Sequence, residues 1–95
     1  RAEAGLGELS WSDSMASTAT ERASEIVDNF SHSGMRNCNA EIILQSGSGS
    51  AYSWYNQFYN SSGHRANMMD DLWGSAAAAY CKVGGNYYLV VMFDL

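Results

Sequence analysis

Hydrophobic positions recur at helical spacing in the first third of the chain. Ser12 is a suitable N-cap, and Asp13 is favourable in the positively polarised first turn of a helix. The pattern predicts an amphipathic helix over about residues 13 to 29. Its apolar face is formed by Met15, Ala16, Ala19, Ala23, Ile26, Val27 and Phe30. Its polar face is formed by Ser17, Thr18, Glu21, Arg22, Glu25 and Asp28.

The segments on either side of this helix are less regular. Residues 1–11 resemble the end of another helix followed by a turn. Residues 31–40 are polar and predict a loop. Residues 41–45 form an apolar run too short to distinguish a strand from a helical turn. Three residues are expected to pack at the N-terminal end: Leu6, Leu9 and Trp11.

A second helix is predicted after the glycine- and serine-rich break at residues 47–50. Its apolar face consists of Ala51, Trp54, Tyr55, Phe58 and Tyr59. Residues 60–63 end this helix, because Gly63 suits the left-handed position past a helix C-terminus. Residues 64–69 predict a further helical turn.

The C-terminal third predicts a β-hairpin. Gly84, Gly85 and Asn86 form a turn signal, so residues 74–83 are expected to pair with residues 86–94. The second strand is apolar nearly throughout, which predicts a central strand covered on both faces. The alanines at 76–79 would let a helix approach the first strand closely. Helices followed by a hairpin indicate an α+β fold.

Composition limits the possible functions. A chain of 95 residues supports one domain, here residues 1–95. Five basic and ten acidic residues give a formal net charge of −5, and the basic residues are scattered. Nucleic acid is therefore not an expected partner, and neither is an anionic membrane surface. The longest apolar run, residues 87–93, is too short for a transmembrane helix.

The two cysteines, Cys38 and Cys81, have two interpretations. They could form one disulfide, as in secreted proteins, or remain two buried thiols. The chain-entropy treatment gives such a crosslink about 4 kcal/mol, a large share of the stability of a small domain. We expect the disulfide.

His32, Glu41 and His64 are the candidate chemical residues. His32 and His64 are the only histidines, and imidazole titrates near neutrality and ligates metals. Glu41 lies in an apolar segment, where a carboxylate is usually paired or functional. The structural alternatives are a helix-capping role for His32 and a salt bridge from Glu41 to Arg36 or Arg65.

A hydrolase is the alternative function. His64 would act as the base, oriented by Glu41, and Ser61 or Ser62 would be the nucleophile. Against this, Ser62 and His64 are only two positions apart, and either serine can instead cap the following turn. A third hypothesis is that the aromatic residues of the second helix line a groove for lipid or cell-wall glycan.

Four motifs, taken in order, resemble the CAP superfamily, which comprises the cysteine-rich secretory, antigen-five and pathogenesis-related-one proteins. Nearly the whole chain resembles the bacterial-type SCP-like extracellular domain, with the first helix truncated. The motifs are Leu6-Gly-Glu-Leu-Ser-Trp11, Phe30-Ser-His32, Ala40-Glu41 and Ser61-Ser-Gly-His-Arg-Ala-Asn-Met68. The resemblance implies an α-β-α sandwich with a small antiparallel sheet between helices, and secretion or a cell-surface location.

The resemblance also implies a cleft with two histidines and acidic partners that binds a divalent cation such as Zn²⁺ in some members. His32, Glu41 and His64 match three of those positions, and Ser62 adjoins them. A second acidic residue has no match, because residues 33–37 contain neither Asp nor Glu.

Two further family positions differ. Ile42 replaces the usual Asn after the glutamate, and Ser62 replaces the usual Pro. We therefore expect a reduced cleft, with His32 and His64 as the metal ligands. The expected protein is a monomeric, secreted, non-enzymatic domain whose partner is a small ligand or an extracellular protein, glycan or lipid.

Overall fold

The computed structural model describes residues 9–61, 63, 64, 66 and 73–95. Within that part of the chain, a four-stranded sheet lies between two helices. The elements are β1 (Ser10–Trp11), α1 (Asp13–Asp28), β2 (Ala40–Ser46), α2 (Ala51–Tyr59), β3 (Ser75–Val83) and β4 (Asn86–Asp94). The predicted α+β fold is confirmed.

The sheet has the strand order β1-β3-β4-β2. β4 pairs antiparallel with both β3 and β2, which makes it the central strand that its apolar sequence predicted. β1 adds a two-residue parallel pairing to β3. Gly84 has a φ of 63°, the left-handed conformation that a two-residue hairpin loop requires and glycine adopts without strain.

Each face of the sheet packs on a different helix, as in an α-β-α sandwich. On one face, α1 contributes Met15, Ala19, Ala23 and Ile26 to a core with Ile43, Ala77, Val90 and Met92. On the other face, Trp54 and Phe58 of α2 pack with Ile42, Leu89 and Phe93. Because Ala77 is small and almost fully buried, α1 can lie close to β3.

The limits of the helices follow from local chemistry. Ser12 accepts a hydrogen bond from the Met15 amide at 3.2 Å, which confirms the predicted N-cap of α1. Ser50 caps α2 in the same way, through the amide of Ser53. The run at 41–45, ambiguous from sequence, is the middle of β2 because it pairs residue by residue with β4.

Some predictions for the chain ends are wrong or lie outside the described residues. Trp11 is 61% exposed rather than packed, and Phe30 lies beyond the end of α1 and is 49% exposed. Leu9 does pack against the α2-side core. Residues 1–8 and most of the turn predicted at 64–69 are outside the described residues.

The predicted disulfide is wrong, because Cys38 and Cys81 are free thiols. Cys81 of β3 pairs with Tyr88, near the start of β4. Cys38 lies two residues before Ala40 of β2, which pairs with Phe93 near the end of β4. The two cysteines also lie on opposite sides of β4, a separation of two strand spacings, or about 10 Å. A disulfide needs Cα atoms within about 7 Å, so the bond would require a different sheet register.

The environments of the thiols agree with this arrangement. Burial raises the pKa of both the Cys38 and the Cys81 thiols, which disfavours the reactive thiolate. Cys81 donates to the Ala23 carbonyl of α1 at 3.1 Å. Both thiols pack against the α1-side core, so they act as small apolar residues.

Candidate functional site

The Glu41 carboxylate is the centre of a buried polar cluster at the edge strand β2. Its side chain is fully buried beside Arg22 of α1, whose side chain is only 2% exposed. The Arg22 Nη2 donates to Glu41 Oε1 at 2.6 Å, and Nε donates to Oε2 at 3.2 Å. This two-point contact satisfies the guanidinium and the carboxylate together, as burial of two charges demands.

His32 joins the same carboxylate from the loop after α1. Its Nδ1 lies 3.0 Å from Glu41 Oε1, while the imidazole itself is 54% exposed. A carboxylate can only accept, so Nδ1 carries the proton and donates it to Glu41. In the neutral ring, Nε2 is then a free acceptor that faces away from Glu41. His32 and Glu41 are therefore in direct contact.

Arg22 also fixes the loop that carries His32. Its Nη2 donates to the Ser31 carbonyl at 2.8 Å, and its Nη1 donates to Glu25 at 3.0 Å. The Glu41 hydrogen bonds raise the pKa of Arg22, although burial opposes them. One side chain therefore connects α1, the His32 loop and β2.

The helical pattern predicts Arg22 on the polar face of α1, whereas the residue is buried. The missed signal was its spacing: Arg22 is three residues after Ala19 and four before Ile26, both of which are fully buried. A cation on that stripe requires a buried acid, and Glu41 supplies it. Arg36, an expected partner of Glu41, instead donates to Glu21 and Glu25 on the surface of α1.

His64 approaches from the α2 side of the sheet. Its ring meets the Phe58 ring edge-on, with centroids 5.1 Å apart, and Phe58 belongs to the α2-side core. Burial lowers the pKa of His64, and the positive charge of protonated His32 lowers it further. The two imidazoles therefore lie within electrostatic range of each other, with the neutral form of His64 favoured.

The residues predicted for a hydrolase are arranged differently. The orienting contact of Glu41 is made to His32 rather than to His64. The Ser61 amide donates to the Phe58 carbonyl at 3.1 Å, as part of the C-terminal turn of α2. Ser62 lies outside the described residues.

A complete zinc site does not fit the donor atoms present. Both Glu41 oxygens are bonded to Arg22, and one also contacts His32, so Glu41 is an outer partner rather than a ligand. In the described part of the chain, no group of three or more His, Cys, Asp or Glu side chains could hold a metal ion.

The four aromatic residues on the predicted apolar face of α2 divide into two groups. Trp54 and Phe58 are buried in the α2-side core, which is ordinary packing. Tyr55 and Tyr59 are 37% and 38% exposed, and their rings stack with centroids 5.7 Å apart. No helix in the described residues is both long and apolar enough to cross a membrane.

Comparison with known proteins supports a single family. The family model for the cysteine-rich secretory protein family, CAP, matches residues 1–93. No curated protein matches the sequence significantly.

Two solved structures share the fold at low sequence identity. One is an outer surface protein from Borrelia burgdorferi, with a TM-score of 0.74 and 17% identity, covering 99% of this chain and 83% of that one. The other is an extracellular protein containing an SCP domain from Bacillus anthracis str. Ames, with a TM-score of 0.66 and 16% identity. That match covers 97% of this chain but 36% of the Bacillus protein.

Proposed function

Since this chain belongs to the cysteine-rich secretory protein (CAP) family, we propose that it is a secreted or cell-surface, non-enzymatic domain that binds a divalent cation or small ligand at the His32–His64 cleft. The location is inferred from its structural neighbours, an outer surface protein and an extracellular protein.

One observation carries the proposal: the hydrogen bond between His32 Nδ1 and the buried carboxylate of Glu41. Metal-ligating histidines usually donate their second ring nitrogen to such a carboxylate, which fixes the tautomer and increases the basicity of the free nitrogen. Here Arg22 in turn holds the Glu41 carboxylate. The His32 ring, and with it Nε2, is therefore oriented in the absence of a ligand.

The neutral state of His64 supports the same role. Only an unprotonated imidazole can ligate a cation or accept a hydrogen bond, and burial lowers the pKa of His64. His32 Nε2 and His64 would hold the ion, and water would complete its coordination. Bound Zn²⁺ would supply a positive centre for a further ligand, and no reaction step is assigned to it.

Isothermal titration with Zn²⁺ near pH 7.5 tests the cation part. Wild type should bind one equivalent, and His32→Ala and His64→Ala should each reduce the affinity by at least about 10-fold. Asp28→Asn is the matched control, because Asp28 is exposed on α1. This variant measures how much of the Zn²⁺ binding comes from nonspecific attraction to an acidic chain. Equal binding by wild type and the double histidine variant would exclude the cleft as the site.

The hydrolase alternative remains a separate prediction. A peptidase and esterase screen would detect it, and His64→Ala should abolish any activity that depends on that base. Activity that persists in His64→Ala would exclude the proposed use of His64.

A further inference from the structure

The outer edge of β3 is largely uncovered within the described part of the chain. β4 pairs with β3 along its whole length on one side, whereas β1 on the other side pairs only with Ser75 and Ala76. Residues 77–83 therefore form an edge without a neighbouring strand among the described residues. Tyr80 and Val83 are 59% and 49% exposed there. Such an edge can pair with a further strand.

The hairpin geometry determines which backbone groups of β3 point outward. Val83 and Asn86 flank the two-residue loop as its closing hydrogen-bonded pair, so the bonds to β4 fall on alternate residues of β3. The residues in between direct their N–H and C=O groups to the outer edge. Ala76 confirms this alternation, because its carbonyl accepts from the Ser12 amide at 3.0 Å. The next outward-facing residues are Ala78, Tyr80 and Lys82.

A second copy of β3 can pair antiparallel with this edge about a two-fold axis. Outward-facing residues must meet outward-facing residues, which allows an axis at Tyr80, Cys81 or Lys82. An axis at Tyr80 or earlier would bring the hairpin turn of the second copy against Ser12, which occupies the edge at Ala76. An axis at Lys82 would oppose two like charges and shorten the pairing. The axis at Cys81 avoids both problems.

At that register the side chains of the two copies fit each other. The small side chain of Ala79 lies opposite Val83 of the second copy, and Tyr80 lies opposite Lys82 of the second copy. Lys82 already has its Nζ 5.3 Å from the ring centroid of Tyr87, its neighbour in β4. The Lys82 cation would therefore lie between two tyrosine rings, one from each copy.

Charge favours a copy of the same chain as the occupant of this edge. β3 contains Lys82 and no acidic residue, whereas the whole chain has a formal net charge of −5. Arg22 of α1 turns to Glu41 of β2, at the opposite edge of the sheet, so the flank of α1 on the far side from Arg22 faces the β3 edge. The residues of that flank are Ala16, Thr20 and Val27. Two acidic chains can therefore meet here through a cation and uncharged side chains.

We propose that the chain forms a weak, two-fold symmetric dimer in which the β3 edges of two copies pair antiparallel about Cys81 and join the two sheets into one. Tyr80 of each copy and Lys82 of the other exchange their backbone hydrogen bonds. The pairing is smaller than a standard protein interface, so the monomer expected from the sequence is the state in dilute solution. This interface uses neither His32 nor His64, so it is independent of the function proposed above.

Sedimentation equilibrium of the whole, reduced chain from about 10 µM to 1 mM tests the dimer. The weight-average mass should rise with concentration toward twice the monomer mass. Lys82→Pro removes an outward N–H and leaves the bonds to β4 intact, so it should weaken association by at least about 10-fold. Gln45→Pro is the matched control on the other edge strand. Gln45 is exposed and lies opposite Tyr88, whose backbone bonds go to β3, so this variant should associate like wild type.

Cross-linking through Cys81 tests the register. Across the axis, the two copies of Cys81 form a non-hydrogen-bonded pair with Cα atoms about 4.5 Å apart, within reach of a disulfide. Diamide, which takes up the two protons and two electrons that the joining thiols release, should convert Cys38→Ser into covalent dimers on non-reducing gels. Cys81→Ser, which keeps Cys38, is the matched control and should stay monomeric.

Three results would overturn the proposal. A monomer mass throughout that concentration range excludes the dimer, and β3 amide shifts with a synthetic valine–threonine hexapeptide would then assign the edge to a foreign strand. Equal association of wild type and folded Lys82→Pro places the interface elsewhere. Equal cross-linking of the two cysteine variants, or none in either, excludes the register. If Lys82→Pro does not fold, as judged by circular dichroism, the cysteine variants decide the question.

Discussion

Arg22 provides the most direct test of the cleft, because its replacement leaves a fully buried carboxylate without a counter-charge. In Arg22→Met, Glu41 loses the donors at 2.6 and 3.2 Å and retains only the His32 contact at 3.0 Å. Removing one partner of a buried ion pair costs about 3–5 kcal/mol. The Ser31 carbonyl also loses its 2.8 Å donor.

That cost is large compared with the stability of a small domain, which is about 5–15 kcal/mol. At this chain length, 1 kcal/mol corresponds to about 4–8 °C in Tm, so Arg22→Met should lower Tm by about 12 °C or more. Urea denaturation followed by circular dichroism measures the free energy of unfolding independently, with an unchanged slope indicating two-state behaviour.

A double variant separates the ion pair from packing. Replacing both partners, as in Arg22→Met with Glu41→Leu, removes the unpaired charge and should recover most of the loss, because apolar replacements of buried pairs are often neutral or stabilising. Arg36→Met is the matched control: its carboxylate partners lie on the exposed surface of α1, so its cost should stay below about 1 kcal/mol.

A loss below about 1 kcal/mol in Arg22→Met would contradict this prediction. A cost in the double variant equal to the sum of the two single costs would also contradict it, since residues in contact should show a coupling energy. Either result would mean that the Glu41 carboxylate is stabilised by something other than the Arg22 guanidinium.

Three further predictions concern the turn, the imidazoles and the thiols. Gly84→Ala should cost about 1–2 kcal/mol by denaturation, because φ is 63° there. Gly85→Ala should cost less, because Gly85 does not have a positive φ, while a Cβ would have no neighbour within 4 Å at either position; equal costs would contradict this. The pKa of His64, measured by NMR, should rise in His32→Ala because one cause of its lowering is removed; an unchanged or lower value would contradict this. Labelling of denatured, unreduced protein should find two free thiols, and none would indicate a disulfide.

The elements that local chemistry determines could be predicted from the sequence. Ser12 and the apolar spacing after it located α1 nearly to the residue, and the glycines at 84 and 85 located the hairpin. The run at 41–45 could not be resolved locally, because what makes it a strand is pairing with β4, which lies far along the chain.

The disulfide and the partner of Glu41 could not be predicted for a related reason. Both depend on which residues the sheet register brings together, and that register is set by long-range packing. Cysteine spacing indicates only that a bond is possible, whereas pairing of Cys81 with Tyr88 prevents it. Arg22 lies on the buried stripe of α1, but only the position of Glu41 on the α1-facing side of β2 makes that burial favourable.

The same contacts determine how strongly the cleft can attract a cation. Where the resemblance implies a second acid, the loop after His32 carries Arg36, which binds Glu21 and Glu25 and ties the loop to α1. The charge of Glu41 is already countered by Arg22. These contacts therefore leave none of the Glu21, Glu25 and Glu41 carboxylates unpaired to attract a cation at the proposed cleft. Binding at the cleft should consequently depend on imidazole lone pairs rather than on net charge, and Zn²⁺ affinity should decrease with falling pH much more than with rising salt.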